Sequence, residues 1–211
     1  MGSYHSDALT PMTRNSQNAQ VKEIAVTGDL GESASVIMES LLEVAPGGRC
    51  ILYFDSPGGN AYSAISLLSV MLLRGLDTVG VVTGECSSAA LWPFAGCRQR
   101  LVTPYSVLFF HPMRWQSEEN VQLAEAAEWA RHFAQLEKEM DTLLARLFDL
   151  PYERLLEWIK PGRYVSGREL AEAGVAQLID LEFGSLRSIL GQPGRLDDHR
   201  RLGRRPKMAG H

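Results

Sequence analysis

Polar residues without a repeating pattern fill positions 1–20, and regular apolar spacing begins at Val21. KEIAVTG (22–28) predicts a short strand. In ESASVIMESLLEVA (32–45), apolar residues at 36, 37, 41, 42 and 44 mark an amphipathic helix, and Pro46-Gly47-Gly48 stops it. CILYF (50–54) is a continuous apolar run, as expected of a strand covered on both faces. A Ser-Pro-Gly-Gly turn follows, then a helix to about Arg74 that is apolar on most sides and therefore buried. TVGVVT (78–83) predicts the next strand, Gly84-Glu85 a turn, and Ser87 to Ala95 another helix. RLVTPYSVLFFH (100–111) reads as two strand pieces broken at Thr103-Pro104.

The longest predicted helix runs from about Ser117 to Phe148. Leu123, Ala127, Ala130, Ala134, Met140, Leu144 and Leu147 mark one face, and Glu, Arg, Gln and Lys crowd the other. A helix of that length in a domain of this size projects, and a projecting apolar stripe requires a partner. A helix near 151–159, a loop, a helix near 166–174 and a strand AQLIDL (176–181) complete the pattern. Strands alternating with helices in this order predict an α/β fold built on a parallel sheet. The expected organisation is a flexible segment at 1–20, one folded domain at 21–190 and a basic tail at 191–211.

Composition narrows the function. With 45% apolar and 22% charged residues the chain is that of a soluble globular domain, and its apolar runs fall short of a membrane span. The N-terminus carries no basic-then-apolar segment of the kind that directs secretion. Three cysteines without a CxxC pair suggest buried free thiols in a reducing, cytoplasmic compartment, and no histidine grouping has metal-ligand spacing. Neither a metal nor another cofactor is expected. The net charge of −4 conceals a basic stretch, six Lys/Arg against two Asp between Arg195 and His211. The acidic remainder argues against a nucleic-acid-binding domain.

Three features carry candidate chemistry. In TGECSSAAL (83–91), serines sit where a strand meets a helix, among small residues that would let a substrate backbone approach. Unpaired N–H groups and a positive dipole end gather there. The same serines could equally serve as helix caps. DSPGG (55–59) places two glycines after a buried strand, giving a tight corner with exposed N–H groups, or plain turn chemistry. His111 ends VLFFH, where a structural histidine is as compatible with the pattern as a general base.

Taken together, SPGG at 56–59, Gly84 followed four residues later by Ser88-Ala89-Ala90, and TPYSVLFFH at 103–111 resemble the Clp protease proteolytic-subunit (ClpP) family of serine peptidases. The resemblance runs from about Val21 to Leu181. It implies a ClpP/crotonase-type fold, a repeated ββα core with 117–148 as a projecting handle helix. It also implies heptameric rings, possibly doubled, of like chains or of paralogues, cleaving unfolded polypeptides that an AAA+ unfoldase supplies. The family's nucleophile falls on Ser88, with Ser87 second, its base on His111, and its oxyanion donors on the backbone N–H groups of Gly59 and Ala89. Its catalytic aspartate falls on Gly162, within GRYVS, and no acid occurs between Glu157 and Glu169. Three outcomes follow: a slow Ser-His dyad, an acid from elsewhere (Glu118, Glu119 or a neighbouring subunit), or a catalytically weak or inactive ring subunit. The stretch PMRWQSEEN after His111 and the polar N-terminus also depart from the family pattern. An acyl-CoA hydratase or isomerase on the related crotonase fold would share the oxyanion logic but leave Ser88 and His111 unexplained.

Overall fold

The computed structural model describes residues 21–116, 120–182 and 186. The expected terminal segments, 1–20 and 191–211, lie outside them, as do Glu118 and Glu119. The element order is β1 (Lys22–Asp29), α1 (Leu30–Leu42), β2 (Arg49–Gly58), α2 (Ala61–Leu73) and β3 (Asp77–Cys86), then a 3-10 turn at Ser88–Ala90. There follow α3 (Leu91–Ala95), β4 (Gln99–Val102), β5 (Val107–Phe110), α4 (Leu123–Phe148), α5 (Tyr152–Ile159), β6 (Arg163–Ser166), α6 (Gly167–Glu172) and β7 (Gln177–Leu178). The class is α/β, as expected.

The main sheet runs β1-β2-β3-β4-β7, and every pairing along it is parallel. The apolar run at 50–54 is explained by its two covered faces. Cys50, Leu52 and Phe54 join the large core under the helices, and Ile51 joins Val79, Val81, Leu101 and Ile179 on the other face. α2 enters that core through Ala64, Leu67, Leu68 and Met71, and Asn60 caps it by accepting from the N–H groups of Tyr62 and Ser63.

Four expectations are corrected. The SPGG and Gly84-Glu85 turns are not turns: β2 continues to Gly58 and β3 to Cys86. Past its β4 pairing, β3 takes a new partner, Glu85 opposite Val107 of β5. The loop expected between the helices near 151–159 and 166–174 is largely β6, antiparallel to β5, with Leu108 opposite Val165. The long helix begins at Leu123 rather than near 117, because Asn120 is left-handed (φ +67) and Gln122 is extended, so a helix cannot propagate through them. Finally, AQLIDL contributes only Gln177–Leu178 to the sheet.

α4 has two unlike halves. Met140, Leu144, Ala145 and Phe148 are buried, and Met140 O accepts a hydrogen bond from Trp92 Nε1 at 3.1 Å. Near its start, Leu123 is 87% exposed.

Candidate active site

The forked end of β3 brings the glycine corner against the serine segment, and the serine segment against β5. Ser56, fully buried, ties three segments together: its Oγ donates to Gly28 O (2.6 Å) and accepts from Gly58 N–H (3.1 Å), while its carbonyl accepts from Ser87 N–H (3.0 Å). The SPGG corner is thereby fastened to the serine segment.

The two serines have opposite surroundings. Ser87 is 2% exposed, and its Oγ accepts from Phe109 N–H at 3.1 Å, so it joins the serine segment to β5. Ser88 is partly exposed, and its backbone is left-handed at φ +53. That conformation costs a residue with a side chain on the order of 1–3 kcal/mol and persists only where the surroundings enforce it. Gly58 does so here: a Cβ at its position would lie 2.7 Å from Ser87 O, 2.7 Å from Ser88 Cβ and 2.8 Å from Ala89 N. Only glycine allows the corner to approach the serine this closely.

Outside the regular helix and strand ladders, the backbone N–H groups of Gly59 and Ala89 donate no hydrogen bond among the described residues. Gly59 is exposed, whereas Ala89 is buried, with its N atom 2.8 Å from where a Cβ on Gly58 would sit. Gly59 has φ +128, and a Cβ there would lie 2.6 Å from an Asp29 carboxylate oxygen. Asp29 also accepts from Gly31 N–H at 2.6 Å, so the start of α1 fixes that wall.

His111 leaves β5 half-buried. Its ring stacks on Phe109 at 4.9 Å, and Phe109 stacks on Tyr164 of β6 at 4.3 Å. Nδ1 lies 2.6 Å from Pro112 O. A carbonyl oxygen only accepts, so Nδ1 donates and Nε2 of the neutral ring carries the lone pair. Gly162 lies against this histidine: a Cβ there would meet His111 Cβ at 3.4 Å, yet its φ of +125 is one that side chains rarely adopt. The segment after His111 rests on α4, where Met113 N–H donates to Glu137 Oε1 at 3.2 Å and Trp115 stacks on Phe133.

The three cysteines are poor nucleophiles. Burial pushes the Cys50 thiol up to about 11 and the Cys97 thiol up to about 12, and it raises Cys86 as well. Among the described residues no group of His, Cys, Asp and Glu side chains could hold a metal ion, and no helix is long and apolar enough to cross a membrane. The sequence reading missed Pro112 O, Met113 and Glu137. A backbone carbonyl leaves no trace in residue identity, and Glu137 is one of several acids on a polar helix face.

A family model described as Clp protease matches residues 15–180. The chain is 25% identical over 150 residues to an ATP-dependent Clp protease proteolytic subunit of Bacteroides thetaiotaomicron, a match covering 68% of this chain and 66% of that protein. A protein of the same name from Bacteroides fragilis is also 25% identical over 150 residues, covering 68% of this chain and 70% of the relative.

Proposed function

Because the chain belongs to the Clp protease family, we propose that it is a serine endopeptidase with Ser88 as nucleophile and His111 as general base. The observation that carries this reading is the left-handed Ser88, held on Gly58 where the Ala89 N–H also lies. In the reaction, Ser88 Oγ attacks the peptide carbonyl carbon while its proton passes to His111 Nε2. The N–H groups of Gly59 and Ala89 take the charge that develops on the carbonyl oxygen. The imidazolium then protonates the leaving amine, giving an acyl-enzyme, and a water activated by the same histidine releases the acid. Pro112 O holds the tautomer this sequence needs, a task an aspartate performs in a triad.

The substrate class is unfolded polypeptide, and the setting is an oligomer: a heptameric ring of this chain, or of this chain with paralogues, served by an AAA+ unfoldase. The exposed start of α4, with Leu123 at its tip, supports assembly because such a surface calls for a partner.

A second reading, a catalytically weak or inactive ring subunit, is favoured by one observation: glycine occupies the position beside His111 where the family carries its acid. A fluorophosphonate probe separates the two. Labelling lost in Ser88→Ala and kept in Ser87→Ala supports the peptidase. Absence of labelling on either serine selects the inactive subunit, and dependence on Ser87 overturns the choice of nucleophile. Native mass spectrometry tests assembly independently, and a monomer at micromolar concentration would refute the oligomer.

A further inference from the structure

No acid stands at position 162, yet one reaches the histidine through a single intervening amide. The carbonyl that accepts from His111 Nδ1 and the N–H that donates to Glu137 Oε1 belong to the same peptide unit, Pro112–Met113. That peptide is trans, so its C=O and N–H point in opposite directions and the unit is gripped at both ends. A carboxylate on the N–H side polarises the amide and makes its oxygen a better acceptor, as hydrogen bonds in series do. The arrangement is anchored independently. Met113 packs on the core, Trp115 stacks on Phe133 one turn before Glu137 on α4, and Glu137 extends from the part of α4 that leads into its buried half.

We infer that Glu137 is a positioning residue for His111, acting through the Pro112–Met113 peptide in place of an acid bonded directly to the ring. This rests on the reading of His111 as the base. In a conventional triad, replacing the acid by its amide presents the wrong tautomer, because the amide can donate as well as accept. Here the partner of Glu137 is a peptide N–H, which can only donate. Glu137→Gln therefore keeps the hydrogen bond and loses only its charge, whereas Glu137→Ala loses the hold altogether.

The test uses the full chain in its native assembly with two readouts: the fluorophosphonate labelling rate of Ser88, and solid-state 15N spectra of histidine-labelled protein, with the His111 signals assigned by His111→Gln. In Glu137→Ala, labelling should fall roughly 10–100-fold, and the His111 signature should lose its Nδ1–H form. Glu137→Gln should retain that signature and lose about fivefold or less. If Glu137→Ala does not fold, Glu137→Met, of similar length and without an acceptor, carries the same prediction. Wild-type labelling and an unchanged signature in a folded Ala or Met variant would overturn the inference. If the wild type itself does not label Ser88 while the variant still loses the Nδ1–H form, the peptidase reading fails and the positioning of His111 by Glu137 stands.

Discussion

A Cβ added at Gly58 would lie 2.7 Å from Ser88 Cβ, closer than real contacts come, whereas one added at Gly162 would meet His111 Cβ at an ordinary 3.4 Å. The serine side of the site is thus built to steric tolerance. Ser56, Ser87 and Gly58 interlock four chain segments by buried or part-buried hydrogen bonds and by the absence of side chains. The histidine side is held by softer means: an aromatic stack, one carbonyl and a loop resting on α4. A serine confined by packing keeps its geometry through modest change elsewhere. A histidine held by a short series of hydrogen bonds answers to the charge and anchoring of the helix behind it.

Gly58→Ala is the strongest attack on that contrast. It places a methyl group into backbone atoms and forces φ +102 on an L side chain. We expect Ser88 labelling to fall at least 100-fold and stability by about 3 kcal/mol or more, read by probe kinetics and thermal melting. Labelling near wild type would mean that the serine side is not sterically set.

Asp141 probes the other side. It lies one helical turn from Glu137 and is 6% exposed, with Lys160 and Tyr152 facing it from the α5 region. Burial first, and then Glu137, lift its carboxyl from an ordinary 3.8 to about 6, against the pull of Lys160. A carboxyl raised by folding favours the folded state below pH 4 and loses that advantage as pH climbs to about 6. The ionised form then carries a penalty of up to about 3 kcal/mol. Asp141→Asn should therefore stabilise the protein by up to that amount at pH 7.5, with the gap to wild type closing between pH 6 and pH 4. Denaturant titrations at several pH values check this, and a pH-independent difference would refute it.

Gly162→Asp asks whether an acid beside His111 is the missing part. At φ +125 the new side chain is strained, so we expect a stability loss of about 1–2 kcal/mol and no gain in labelling. A tenfold gain would show that the histidine side still accepts the family's arrangement. The smallest effect expected is that of Phe109→Ala, which removes the ring stacked on His111. A loss of about 0.5–1.5 kcal/mol corresponds to a several-fold slower labelling, without change in which serine reacts.

The sequence by itself determined the apolar strands at 22–28, 50–54 and 78–83 and singled out the segments SPGG and SSAA, because all are local: period, run length and small residues. The family resemblance put Gly162 at the position of the acid, and the structure places that glycine against His111. Only the tertiary structure decided the rest. β6 exists because Leu108 finds Val165, a pairing across more than fifty residues that a four-residue stretch cannot announce. Ser87 and Ser88 are the same residue type in adjacent positions, and they part only when β5 supplies an N–H to one and Gly58 bends the backbone of the other. Glu137 reaches the amide beside His111 across 24 positions. Local pattern fixes which segments are strands and helices, whereas the partners of a hydrogen-bonding group depend on where distant segments come to rest.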